Sequence, residues 1–320
     1  MKRGQEVVLL GLSLFFLLSC SLLNLNSLCF AGETKVNSIL AVSQGYDNNV
    51  YLDSRRKEDG FTQLLYKTTL TSSLNDNLNG ILEYGLMSLI YAEESNLNLI
   101  TNDFRFGIDY KINSNLNFLS DYHLGIIDYV NTGVDDALEH TVGFKLKQKL
   151  PKKMFHSLGY ELMFKDYSER RIRTITGLPV AKKREDLRST LDYEIGKFFP
   201  KDLIKIKFEY YNNNANERYL HYYDYDSYTG TLSLTHLLTK KMFLYLSYAR
   251  QIIDYRNRTI TVNNGLCQED KDYILTSSLY YNLQKNLTVG LSFTYRKQMS
   301  NEPVERYQDS VVSLSTYYKF

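Results

Sequence analysis

Five histidines are the first residues to weigh for chemistry: His123, His140, His156, His221 and His236. A hydrolase of the serine type needs a nucleophile beside a histidine that a carboxylate orients. His221 with Asp224 and Asp226 supplies two of those parts. No G-x-S-x-G elbow supplies the third. No H-E-x-x-H, paired C-x-x-C or EF-hand loop offers a metal site. The histidines therefore read as solvated or hydrogen-bonded side chains, and the chain as a non-enzyme without cofactor or metal. A hydrolase at an outer rim is the weakest alternative.

The remaining chemistry-bearing residues are charges placed at every second position. In the stretch 103–112, Asp103, Arg105, Asp109 and Lys111 alternate with Phe104, Phe106, Ile108, Tyr110 and Ile112. In 142–150, Lys145, Lys147 and Lys149 alternate with Val142, Phe144, Leu146 and Leu150. In 204–211, Lys205, Lys207 and Glu209 alternate with Ile204, Ile206, Phe208 and Tyr210. Successive side chains of a strand point to opposite faces, so each stretch is a ribbon with one apolar and one charged side. A charge on a lipid face near mid-membrane costs ~2–4 kcal/mol, so the charged side belongs in a lumen. The candidate pore-lining residues are Arg105, Lys111, Lys145, Lys147, Lys205, Lys207, Glu161, Asp192, Glu194 and Arg296. The bases crowd toward Lys145, Lys147, Lys205 and Lys207, which predicts a mildly anion-attracting wall. The equal alternative is that opposite charges pair across strands and only solvate the lumen.

Six short polar turns between apolar flanks order these ribbons. They centre on Asp76, Ser114, Lys152, Lys201, Lys240 and Lys285. Each interval holds one strand out, a longer connection and one strand back. The long connections fall near 52–60, 92–98, 130–136, 166–185, 212–221, 251–271 and 300–307. Seven loops and six turns give about 14 antiparallel strands. An all-β, closed, up-and-down transmembrane β-barrel follows, with short periplasmic turns, longer outer loops and both termini periplasmic. An interior that wide is not filled as a plain core. A Tyr-rich soluble sheet shows the same alternation but does not explain charge on strand after strand.

Composition agrees with that reading. Tyr numbers 28 and Trp is absent, which suits aromatic girdles. Pro numbers only 4, as a sheet that needs its backbone donors requires. Lys2 and Arg3, the apolar run Val7–Leu18 and the small residues Cys29 and Ala31 form a secretory signal over 1–31. Leu17-Leu18-Ser19-Cys20 offers lipidation at Cys20 as an alternative. The remaining 32–320 reads as one barrel domain with only Cys267, so no internal disulfide holds it. That part carries 36 basic and 35 acidic side chains, which gives no reason for nucleic acid.

Tyrosines cluster at Tyr210, Tyr211, Tyr219, Tyr222, Tyr223, Tyr225 and Tyr228, either as girdle residues or as rings on which sugars stack. The segment 166–185 is rich in Arg170, Arg171, Arg173, Lys182, Lys183 and Arg184 and can meet lipopolysaccharide phosphates. Leu314, Tyr318 and Phe320 form an alternating ending with a terminal aromatic. The stretch Gly45-Tyr46-Asp47-Asn48-Asn49-Val50-Tyr51-Leu52 resembles a motif near the mature N-terminus of outer-membrane porins of the beta-barrel porin 2 group. The resemblance implies a pore-like Gram-negative outer-membrane protein, with some relatives linked to exopolysaccharide production. It also implies that the terminal Phe320 addresses the barrel-assembly machinery. The expected function is a monomeric channel for small hydrophilic or anionic solutes, in lipid and lipopolysaccharide, and the resemblance adds a tie to polysaccharide export. A closed interaction barrel plugged by loops 166–185 or 251–271 is the alternative.

Overall fold

Each alternating stretch pairs with its sequence neighbour, because a short turn leaves an antiparallel partner as the nearest edge. The structure is a computed structural model describing residues 34–133, 135–173, 178–216, 222–261 and 265–320. The expected signal at 1–31, with Cys20, lies outside the described residues. The strands are β1 (Thr34–Asp47), β2 (Asp59–Asn75), β3 (Leu78–Tyr91), β4 (Leu99–Lys111), β5 (Leu116–Tyr129), β6 (Ala137–Leu150) and β7 (Met154–Arg173). Then follow β8 (Pro179–Phe198), β9 (Asp202–Ala215), β10 (Tyr225–Leu237), β11 (Met242–Thr259), β12 (Cys267–Asn282), β13 (Leu287–Ser300) and β14 (Tyr307–Lys319). They form one closed antiparallel barrel of 14 strands, in which β14 returns to β1. At that seam Ser43 faces Ser315, and their hydroxyls lie 2.7 Å apart. The last backbone N–H, that of Phe320, donates to Ser38 O at 2.9 Å.

Exposure runs opposite to that of a water-soluble protein. Phe106 is 53 % exposed and Leu314 57 %, whereas Asp192 is 3 % and Asp309 0 % exposed. Large apolar side chains therefore cover the outside and polar ones the inside, which is favourable only where the outside meets hydrocarbon. Outward tyrosines sit near both edges of this belt. Tyr110, Tyr281 and Tyr318 lie toward the short-turn end, and Tyr46, Tyr210 and Tyr228 toward the loop end.

The short turns use local polar chemistry. Asn77 N–H donates to Asn75 Oδ1 at 2.9 Å, and Asn115 N–H to Asn113 Oδ1 at 2.9 Å. In the third turn Met154 N–H donates to Pro151 O at 3.3 Å. Lys152 and Lys153 between them adopt φ of 58° and 59°. Two central residues in the left-handed region make this a type I′ turn, which matches the twist of the strands it joins.

The loop end differs from expectation in one respect. Segments 166–185 and 251–271 are not long loops, since β7–β8 and β11–β12 continue through most of them as paired strands. Asp166 faces Glu185, Arg171 faces Lys183, and Asp254 faces Glu269. Above the belt the outer face meets water instead of lipid, while Tyr167 and Arg184 are buried on the inner face, so the alternation of apolar outside with polar inside disappears there. Register shifts between Asp166 and Arg171, and between Asp254 and Thr259, scramble what alternation is left.

Candidate pore wall

Inward positions follow from the alternation with exposed apolar residues. On β4 the outward set includes Phe106, Ile108 and Tyr110, so Asp103, Arg105, Asp109 and Lys111 face the lumen. The same argument turns Lys145 and Lys147 of β6, Glu161 of β7, Asp192 and Glu194 of β8, Lys205 and Lys207 of β9 and Arg296 of β13 inward. The inner surface then divides into two walls.

From β3 to β9 the wall is charged, and the charges pair. Arg105 lies 2.7 Å from Asp121, Lys165 2.5 Å from Glu139, and Lys205 3.1 Å from Glu194. Lys207 pairs with Glu209 at 2.5 Å on its own strand. Lys145 of β6 reaches Asp192 of β8 at 3.2 Å, across the intervening β7. The residue between them is Gly159, which faces Lys145 on one side and Asp192 on the other. A methyl group built on Gly159 would collide with the carboxylate of Asp192 and the Lys145 stem, so the pair exists because that side chain is missing. Gly143 does the same for Asp121, whose Oδ1 would lie 2.9 Å from a built Cβ. Lys111, Lys147 and Glu161 make no ion pair with a described residue.

From β10 through β14 to β1 the mid-barrel wall is made of small hydroxyl side chains. Ser278 and Ser292 are 2.8 Å apart, Thr276 and Thr294 3.4 Å, and Ser43 and Ser315 2.7 Å. Ser227, Ser233, Ser278 and Ser315 are all buried. Charge reappears on this side at the loop end, where Arg296 lies 3.8 Å from Asp309. Sequence reasoning put Arg296 among the lumen-facing residues, away from the basic crowd at Lys145, Lys147, Lys205 and Lys207, and named no partner for it.

Toward the loop end the lumen side carries a cluster of arginines and tyrosines. The Arg184 guanidinium lies 3.8 Å from the Tyr223 ring centre and 5.0 Å from that of Tyr167, and its Nε donates to Asp186 Oδ1 at 2.7 Å. Arg188 covers Tyr211 at 4.6 Å and donates to the Tyr225 hydroxyl at 3.0 Å. Arg258 covers Tyr222 and Tyr255 at 5.3 and 5.1 Å and pairs with Glu305. Sequence inspection grouped the tyrosines of 210–228 together, yet they face opposite ways. Tyr210 and Tyr228 form an outward ring pair with centres 5.2 Å apart, while Tyr211 and Tyr225 point inward. Arginines lie against the inner rings, so those ring faces are not free platforms for sugars. Tyr219 lies outside the described residues.

The described histidines are each held by a neighbouring strand. His123 meets Asp103 at 3.0 Å, His140 the Tyr122 hydroxyl at 2.6 Å, His156 Gln148 at 2.7 Å and His236 Asp202 at 2.6 Å. None of these partners is a serine, and His221 lies outside the described residues. Among the described residues no group of three His, Cys, Asp or Glu side chains is placed to hold a metal ion. At the chain end Leu314, Tyr318 and Phe320 share the outer face, and the Tyr318 and Phe320 rings contact at 4.9 Å.

No family model matches this chain, and no curated protein matches it. Solved structures do. OmpT of Vibrio cholerae in its trimer form is 8% identical, with a TM-score of 0.56, covering 90% of this chain and 99% of that one. An anion-selective porin from Comamonas acidovorans is 11% identical, with a TM-score of 0.53, over 90% of this chain and 100% of its own. A bacterial polysaccharide outer membrane secretin is 12% identical, with a TM-score of 0.50, over 88% and 98%. At these identities the likeness is one of fold, and that fold is the integral outer-membrane β-barrel.

Proposed function

We propose that this chain is an outer-membrane, porin-like channel for small hydrophilic or anionic solutes. The observation that carries the reading is the state of the inward charges. Lys145, Lys207 and Arg296 keep 32%, 38% and 40% of their side-chain surface open to water, although they point away from the apolar belt. Pairing neutralises much of the charged wall, so selectivity is modest. Lys111 and Lys147, near the short-turn end, tilt it toward anions. In this reading residues 1–31 are a removed signal, 32–320 one domain, and the short turns and termini periplasmic. The barrel works as a monomer in lipid and lipopolysaccharide, and Leu314, Tyr318 and Phe320 present its ending to the assembly machinery.

The resemblance of 45–52 to beta-barrel porin 2 proteins favours a second reading, service to a surface polysaccharide. The polysaccharide secretin of the same fold is consistent with it. Single-channel recording of the refolded mature protein in asymmetric salt is the test. Steady steps with a small anion-directed reversal potential support the channel. A folded, heat-modifiable protein that gives no steps overturns it in favour of a closed barrel, with the Arg184–Tyr223 cluster as the closure.

A further inference from the structure

The short-turn rim is divided into two arcs. The first two turns, Asn75–Asn77 and Asn113–Asn115, hold asparagine, serine and one aspartate. The other four hold Lys152, Lys153, Lys201, Lys240, Lys241 and Lys285, and no arginine. These six side chains are exposed, and none makes an ion pair with a described residue. At the loop end lysines are mixed, since Lys182 and Lys297 make no ion pair with a described residue while others do. Lys57 sits 3.2 Å from Glu94, and Lys271 pairs with Glu269.

We propose that the lysine arc from β6 to β13 binds the headgroups of anionic phospholipid in the leaflet that meets the short turns. The inference rests on the membrane reading above. The turns are so short that the lysines lie within a few residues of the belt edge. Phe199, Leu238 and Leu283, beside three of the turns, are 41 %, 40 % and 45 % exposed on the rim. A lysine in that place lays its stem along apolar surface and lifts its ammonium into the headgroup layer. Lys152 and Lys153 add an independent sign. Both hold a left-handed conformation that Gly or Asn adopts more readily, so the turn keeps two cations against its backbone preference. The use of lysine alone suits mobile lipid, since a flexible, hydrated point charge follows a moving headgroup and needs no fixed two-pronged partner. A soluble acidic protein would be the other class of partner, but the continuity of the arc with the belt favours lipid.

The test uses the full mature chain refolded in phosphatidylcholine vesicles that carry a spin-labelled lipid. The wild-type annulus is expected to prefer phosphatidylglycerol over phosphatidylcholine by roughly a few-fold at low salt, with the preference fading as salt rises. Changing the six lysines to Gln removes most of it. Changing Arg55, Arg56, Lys57, Arg171, Lys183 and Lys271 to Gln removes equal charge from the loop end and leaves it in place. Equal affinity for the two lipids in the wild type, or equal loss in both variants, overturns the proposal. So does a wild type without lipid preference that captures poly-glutamate through the arc, which would assign the surface to an acidic protein. Failure to form a heat-modifiable barrel in phosphatidylcholine alone would instead strike the membrane reading.

Discussion

The two walls of the lumen solve one problem by opposite means. Each must line a wet interior without leaving polar groups unpaired in a crowded sheet. The wall from β3 to β9 does so with full charges that reach over glycines to partners one or two strands away, as Lys145 reaches Asp192 over Gly159. The wall from β10 to β1 does so with short hydroxyls that bond their direct cross-strand neighbours, as Ser278 bonds Ser292. Charges couple distant strands and set a field. Hydroxyls couple adjacent strands and leave the space neutral.

The strongest way to break this contrast is to invert the charged wall. Replacing Lys145, Lys147, Lys205 and Lys207 with Glu is expected to turn the channel cation-selective, read as a change in sign of the reversal potential. Ser233→Ala with Thr276→Val on the other wall should leave that potential where it was; a comparable shift there would end the distinction between the walls. Next in size is Arg184→Ala. It strands Asp186, which is 2 % exposed, and is expected to cost ~3–5 kcal/mol in denaturant unfolding.

Gly159→Ala sharpens the comparison further. The added methyl must push Asp192 and Lys145 apart, with an expected loss of ~1–3 kcal/mol and a measurable rise in anion selectivity as Lys145 is freed. On the hydroxyl wall, Ser315→Ala loses its hydrogen bond with Ser43 and is expected to cost only ~1 kcal/mol with no change in current.

The pH response separates the loop end from both walls. Burial raises the Glu302 carboxyl, but hydrogen bonds from the hydroxyl and backbone N–H of Thr261 outweigh it and hold the group below the usual carboxylate range. A depressed folded value means the contact stabilises the loop fully above the unfolded carboxylate pKa and fades as pH falls through the folded one. Local opening at Thr261, read as its amide hydrogen-exchange rate corrected for the intrinsic pH dependence, is therefore expected to rise in acid for the wild type and to be high and flat with pH in Glu302→Gln, at a cost of ~1–2 kcal/mol. A wild-type rate that ignores pH would rule this out.

What could be read from the sequence follows the same physics. The strand count and the alternation of apolar with polar positions were legible because, within the belt, lipid and water force opposite residue types onto alternate positions. Residues 166–173 and 179–185 were not legible as strand because their outer face meets water instead of lipid while aromatic and charged side chains pack together on the inner one. Nor was the partner of Lys145, which depends on a glycine opposite it on the next strand and a carboxylate on the strand beyond, and on nothing local to Lys145. The Arg184–Tyr223 cluster escaped for a related reason, since a loop residue meets a strand residue only once the sheet has curved. The tyrosine run misled because one stretch of sequence feeds both surfaces of the barrel.

The seam between β1 and β14 gives the barrel a property that its linear description hides. Phe320 bonds back to Ser38, and Ile39 stands opposite Lys319, so the two ends meet at the rim where the six turns already lie. A short linker from there to Thr34 would be a seventh hairpin of the same kind. In architectural terms the protein is a ring of fourteen staves cut once, and the cut is closed by the same antiparallel pairing as the other thirteen joints.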